Sequence, residues 1–248
     1  MRKFIQTIQN IWKIEDLRAR LLTTILFVLI YRFGSFVVLP GIDPTALSAL
    51  HAQTAGGLMA LLDMFSGGAF SNASIFALGI MPYISASIVI QLLTIAVPYF
   101  QKMQKEGESG RQKMNQITRY LTVAILLFQG PSYLVNLSVQ MAQAGQMLEV
   151  GFNWFTISST ILLCAGSMFV MWLGERITDR GLGNGISFII LIGIIARFPA
   201  AIIQEFSSRL NEGGGLMVFF LEIIILLAVF AFAILLVQGT RRIPVQYA

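Results

Sequence analysis

The sequence predicts an all-α membrane protein, a polytopic helical bundle with six transmembrane helices and one short additional helix. Hydrophobic residues make up 56% of the 248 residues and charged residues 12%, whereas about 25% of a typical soluble chain is charged. No Lys, Arg, Asp or Glu lies between Asp63 and Lys102, although a soluble helix needs a polar face. Apolar segments of about 20 residues, long enough to cross roughly 30 Å of hydrocarbon, recur along the chain.

The first 20 residues are expected to form an amphipathic helix on the cytoplasmic membrane surface. Five basic residues are interleaved with apolar residues spaced three and four apart, which is typical of helices that bind anionic membranes. A disordered basic tail is the alternative. A cleaved signal peptide is not expected, because the first long apolar run begins only at Leu21 and no small-residue cleavage pattern follows a short core.

Six apolar spans follow, and the basic residues around them predict their orientation. Fourteen of the 17 Lys and Arg residues lie in the N-terminal tail, in the connections after the second and fourth spans, and at the C-terminal end. By the positive-inside rule, both ends of this chain are expected on the cytoplasmic side. The spans are predicted at approximately residues 21–39, 75–97, 120–139, 153–173, 186–204 and 216–237.

The segment before the second span, LMALLDMFSGGAF at residues 58–70, is apolar but too short to cross a membrane. Its residues alone leave three possibilities open: an interfacial segment, a re-entrant segment or a loop. Gly67 and Gly68 would give a mobile segment its flexibility, and they also suit an ordinary helix end.

Arg32 and Glu222 are the two charged residues considered as lying inside predicted spans, whereas Arg197, near the outer end of the fifth span, is counted with Arg209 among the few basic residues on the outer side. Arg32 and Glu222 both lie toward the outer end of their span, where a long side chain can reach the interface, so helix-end anchors are favoured over a proton-coupling site. The middle of the membrane is then almost free of ionisable groups. This pattern disfavours a secondary transporter of the inverted-repeat type, which needs polar or charged binding groups at the midplane.

The sequence predicts neither an enzyme nor a metal or cofactor site. The motifs H-E-x-x-H, G-x-S-x-G and C-x-x-C do not occur, and the glycine-rich GLGNG at 181–185 lies between two spans rather than between a strand and a helix. His51, the single histidine, has no second ligand candidate nearby. The net charge of +5 reflects basic residues at one membrane face, so nucleic acid is not expected as a direct partner.

Five segments of the chain carry long and specific motifs, and the six predicted spans join them. The segments are LPGID (39–43), MFSGGAFSNASIFALGIMPYISASIVIQLLT (64–94), KEGESGRQK (105–113), MWLGERITDRGLGNGIS (171–187) and RRIPVQYA (241–248). In sequence and in order, these segments resemble the SecY family, the central subunits of bacterial protein-conducting channels.

The resemblance implies a division of the chain into regions. SecY proteins have ten spans built as two inverted halves of five, and the resemblance covers six of these spans. Residues 1–20 then precede the channel, and residues 21–205 form its N-terminal half, with a plug helix at about 58–72. Residues 206–248 hold the first span of the C-terminal half and the start of the following cytoplasmic loop.

The resemblance also implies functional positions. The plug closes the resting pore, an aliphatic ring surrounds the passing chain, and spans two and three form one wall of a lateral gate. Spacing alone favours a lipid-facing or core-packing role for such isoleucines, and their assignment to the ring comes from the resemblance. The matched positions are Phe65, Ser66, Gly67 and Gly68 in the plug, Ile80, Ile84, Ile186 and Ile190 in the ring, Gln91 in the gate, and Arg176 and Arg180 in a loop near the cytoplasmic partners.

As a function, the resemblance implies passage of unfolded polypeptides across the bacterial cytoplasmic (inner) membrane and lateral release of apolar segments into lipid. The implied partners are the subunits SecE and SecG, the SecA motor and the ribosome on the cytoplasmic side, and the translocating polypeptide itself. A secondary transporter and a structural membrane subunit without transport activity are the alternatives.

Overall fold

The computed structural model describes residues 12–42, 57–143, 153–211 and 215–239. An isolated antiparallel bridge joins Val38 to Ser74. The predicted class, an all-helical membrane fold, is confirmed. Within these ranges the chain forms eight α-helices: α1 Glu15–Gly34, α2 Gly57–Phe65, α3 Met81–Ala96, α4 Pro98–Lys105, α5 Glu108–Gln143, α6 Trp154–Arg180, α7 Gly185–Asn211 and α8 Gly215–Gln238.

Each predicted span coincides with a helix, although the helices differ in how well they suit a membrane. Four of the described helices, α5 to α8, are long and apolar enough to cross it. A fifth span is obtained if α3 and α4, which are bent by 99° at their junction, count as one. In α1, acidic residues lie in the first turn and Arg32 in the last. The count of six spans therefore stays a prediction.

The second span begins later than predicted. Residues 75–80 form turns, and α3 starts at Met81 with Pro82 in its first turn. Proline suits this position because the first helical N–H groups have no partner within the helix. Ile80 precedes the helix, and its carbonyl accepts a hydrogen bond of 3.1 Å from the N–H of Ile84. The two isoleucines therefore remain one turn apart.

Several predicted features fall at the edges of the described ranges. An amphipathic helix is predicted for residues 1–20, and residues 1–11 lie outside the described ranges. The last residues of the predicted helix belong to α1, which begins after the extended Ile14. His51 and the segment 241–248 also lie outside the described residues. These predictions stay untested.

The helices pack in pairs around two apolar clusters. α1 packs on α6, α3 on α5, and α5 on α6, while α4 contacts both α3 and α5. The first cluster is centred on Leu134 and Leu163, both fully buried. The second is centred on Val170, Leu173 and Ile177 of α6. Both clusters include residues of the turn segment between α2 and α3.

The chain divides into two compact units after Arg197. The second unit holds the end of α7 and all of α8. Within it, Arg209 Nη2 donates to Glu222 Oε1 at 2.6 Å, and the rings of Phe206 and Phe219 lie 5.3 Å apart. Glu222, predicted as a helix-end anchor, thus forms an ion pair within this unit.

Candidate functional site

The candidate plug, residues 58–72, consists of α2 and the turns that follow it. α2 ends at Phe65, directly before Gly67 and Gly68, whose φ angles are +65° and +92°. The N–H of Gly68 donates to the carbonyl of Asp63 at 2.9 Å. A side chain in this left-handed region costs roughly 1–2 kcal/mol, so the glycine pair allows the chain to turn sharply here.

The turn after α2 lies in backbone contact with α7. A Cβ atom placed on Gly193 would lie 2.7 Å from the carbonyl oxygen of Phe65, and one placed on Gly67 would lie 2.9 Å from the Cα of Gly193. Real Cβ atoms essentially never approach so closely. Glycine at both positions therefore lets the two backbones touch.

Side chains from two neighbouring helices hold the turn by its backbone carbonyls. From α1, Tyr31 OH donates to Ser66 O at 3.1 Å and Arg32 Nη1 donates to Gly67 O at 2.8 Å. From α5, Tyr133 OH donates to Phe70 O at 2.8 Å. These carbonyls follow a helix end, where acceptors have no partner within the helix. Arg32, predicted as a helix-end anchor, thus also contributes a hydrogen bond that holds the turn.

An ion pair joins the candidate plug to α7. The side chain of Asp63 is 1% exposed, and its Oδ2 lies 2.5 Å from Nη1 of Arg197. The N–H of Ser71 donates to Asp63 Oδ1 at 2.9 Å, and Arg197 Nη2 donates to Ser71 Oγ at 3.1 Å. Each carboxylate oxygen of Asp63 thus has one donor, and Ser71 is bound by both members of the ion pair.

Reasoning from the sequence missed this ion pair. Asp63 served there only as the border of a charge-free run, and Arg197 only as one of few basic residues on the outer side. A usable signal was present, because each is an isolated charge in an apolar stretch, and such charges usually pair with one another.

Tyr133→Phe is expected to destabilise the protein by about 1 kcal/mol, because it removes one of two hydrogen bonds to the buried carbonyl of Phe70, which keeps the 3.2 Å bond from the N–H of Ala73. For a chain of this size, that loss corresponds to a fall of roughly 2–4 °C in Tm for each kcal/mol. Thermal unfolding in detergent measures it. Tyr99→Phe is the matched control, because Tyr99 is 64% exposed, and an equal fall in both variants would contradict a role for the Phe70 bond.

The structure brings the four predicted ring isoleucines to one apolar cluster. Ile80 is a buried member of the cluster around α6, and the other three pack against it: Ile84, Ile186 and Ile190. Two of the four, Ile80 and Ile190, line a cavity of about 320 Å³. Its lining includes Phe65, Ile80 and Ile190, together with polar side chains of α5, namely Gln129, Ser132 and Asn136.

The remaining predicted positions lie apart from this cavity. Gln91 is exposed on α3, where its Nε2 donates to Ser87 Oγ at 3.4 Å. The guanidinium of Arg176 lies 5.4 Å from the ring centre of Trp172, and Arg180 is exposed at the end of α6. No group of His, Cys, Asp and Glu in the described ranges could hold a metal ion.

Comparison with known proteins gives consistent matches over nearly the whole chain. The family model described as SecY matches residues 74–248. The protein translocase subunit SecY of Escherichia coli strain K12 is 44% identical over 94% of the chain, and that of Pseudomonas aeruginosa is 46% identical over 95%. The SecY subunit of Buchnera aphidicola from Acyrthosiphon kondoi is 43% identical over 94%.

The chain spans only part of these relatives. It covers 52% of the length of the Escherichia coli and Pseudomonas aeruginosa subunits and 65% of that of the Buchnera aphidicola subunit.

Proposed function

Because the chain belongs to the SecY family, we propose that it forms the N-terminal portion of the pore-forming subunit of a protein translocation channel. In this role it helps to pass unfolded polypeptides across the bacterial cytoplasmic membrane and to release apolar segments sideways into lipid. It is not an enzyme. The matching relatives give no support to a secondary transporter or to a structural subunit without transport activity.

The buried turn segment between α2 and α3 is the observation that supports this function most directly. Non-helical backbone within a membrane protein is tolerated only where it is buried in protein or lines a cavity. Residues 66–80 are non-helical, largely buried, and adjacent to the 320 Å³ cavity. A segment held in this way between helices suits a stopper that closes a pore.

The four clustered isoleucines suit the wall of that pore. Aliphatic side chains at a narrow constriction exclude ions by dewetting, and they offer a passing polypeptide no hydrogen bonds. Ile80, Ile84, Ile186 and Ile190 are the ring residues in this proposal, and Phe65 to Gly68 belong to the plug. Ile190 and Phe65 line the same cavity, as a stopper beside a ring requires.

The other predicted sites and partners complete the proposal. α3 and α5 form one wall of the lateral gate, with Gln91 among its polar positions. Both described ends of the chain face the cytoplasm, where Arg176 and Arg180 lie near the SecA motor or the ribosome. SecE and SecG are the companion subunits, and the channel occupies the bacterial inner membrane.

A photoreactive amino acid in place of Ile190 is expected to form an adduct with a polypeptide arrested during translocation. The test uses a complete channel, a chimera in which residues 1–248 are continued by the rest of the Escherichia coli relative, in membrane vesicles supplied with SecA. Phe128 is the control position, because its side chain is 79% exposed on α5. Adducts at Phe128 but none at Ile190 would count against both the ring and the channel function.

A further inference from the structure

We propose that Asp63 and Arg197 form a latch that holds the candidate plug in its closed position. In this latch, Arg197 is the fixed member on α7, and Asp63 is the member that leaves with the plug. Both act as positioning residues, because they act through the plug rather than on the passing chain. The latch rests on the proposed plug function of residues 58–72.

The unequal burial of the two partners makes the closed position depend on the pair. Asp63 is 1% exposed, whereas the side chain of Arg197 is 39% exposed. Water can therefore solvate Arg197 when its partner leaves, but it cannot reach Asp63 in the closed position. A buried carboxylate without its cation is strongly destabilising. Loss of Arg197 is therefore expected to destabilise the closed plug strongly, whereas departure of the plug leaves Arg197 solvated by water.

The latch differs in kind from the other contacts on the plug. Tyr31, Arg32 and Tyr133 all donate to backbone carbonyls, which any plug sequence would supply. Asp63 contributes a side chain, and its carboxylate accepts from both Arg197 and the N–H of Ser71. The ion pair is therefore a contact through which a charged side chain of this plug sets the stability of its closed position.

The latch also lies on the side of α7 that already touches the plug. Arg197 follows Gly193 by four residues, so the two share one face of the helix. Gly193 lies against the backbone of Gly67, and the guanidinium of Arg197 lies beside Gly68, at 3.3 Å from a Cβ built there. When the plug moves away, the close approach and the ion pair are lost together.

Three variants separate the charge of the latch from its shape. Asp63→Asn keeps an oxygen for the Ser71 N–H and removes the charge. Arg197→Gln leaves the carboxylate buried and unpaired, so it is expected to raise the population of displaced plug most, by roughly tenfold or more. The double variant, Asp63→Asn with Arg197→Gln, removes both charges. Its population of displaced plug is therefore expected to resemble that of Asp63→Asn rather than the sum of the two single effects.

Plug position is measured directly, by distances between spin labels. The labels are attached at Leu61→Cys on α2 and Leu191→Cys on α7, both exposed positions, in a Cys164→Ser background. The protein is the complete chimeric channel in lipid vesicles. Arg209→Gln is the matched control, because Arg209 is also an arginine of α7 but pairs with Glu205 and Glu222. It should leave the distance distribution unchanged.

The resting ion conductance of the same channels separates failure of the latch from failure of the plug function. If the label distances stay narrow in all three variants, or broaden equally with Arg209→Gln, the latch is overturned. The plug function still stands in that case if deletion of residues 61–71 raises the conductance. If the distances broaden in the expected order while neither the variants nor the deletion change the conductance, the latch stands and the plug function fails.

Discussion

Gly193→Val is expected to drive the candidate plug out of its closed position and to leave the channel conducting ions at rest. The first atom of any side chain at this position would lie 2.7 Å from the carbonyl oxygen of Phe65 and 3.2 Å from the nitrogen of Gly67. Both are backbone atoms, so no rotation of a side chain can relieve the overlap. Overpacking of this kind costs about 1–3 kcal/mol, which corresponds to a rise of roughly 5-fold to 150-fold in the ratio of open to closed channels.

Planar-bilayer recording of the complete chimeric channel without a client polypeptide measures this effect. Valine is a better helix former than glycine, so unfolding of α7 would not explain a leak. Leu191→Phe is the control, because it enlarges an exposed side chain on the same helix and is expected to leave the channel closed. A Gly193→Val channel as tightly closed as the parent would show that the plug does not rest on α7.

Ile84→Gly is expected to give a measurable ion current through the resting channel. Ile84 packs against the apolar cluster that also holds Ile80. Removing its side chain widens the proposed constriction and weakens the dewetting that excludes ions. The variant also loses about 1 kcal/mol through the low helix propensity of glycine, together with about 2–5 kcal/mol of packing if the site is as well packed as a soluble core.

Ile88→Gly separates the pore from the stability of the helix. Ile88 lies one turn further along α3 and is 50% exposed, so its replacement carries the same helix-propensity cost without touching the cluster. The current is expected in Ile84→Gly alone. If both variants conduct equally, or neither does, Ile84 does not belong to the pore ring.

The class of the protein could be predicted from the sequence because hydropathy is a local property. α8 contains one charged residue, Glu222, in 24 residues, and no tertiary contact is needed to recognise such a segment as a membrane span. The position of Gly67 and Gly68 at a helix end could also be predicted, since glycine is favoured where φ is positive. The start of α3 was predicted six residues too early, because apolar character continues through the turns before Pro82.

The partners of the charged residues could not be predicted in the same way. Arg197 and Ser71 are 126 positions apart in the sequence, and Arg32 and Gly67 are 35 apart. Hydropathy shows that a charge within an apolar stretch needs a partner, but it does not show which residue supplies it. Arg32 and Glu222, predicted as helix-end anchors, both have partners within the protein that the sequence did not indicate.

The sequence by itself determined the all-helical membrane class, the approximate positions of the helices and the family, because these depend on local composition and on contiguous motifs. Only the tertiary structure decided how the candidate plug is held. Its closed position depends on a glycine-to-glycine contact with α7, on three side chains that donate to its carbonyls, and on the ion pair of Asp63 with Arg197. Each of these contacts joins residues distant in sequence, and a local pattern carries no information about which distant residues packing brings together.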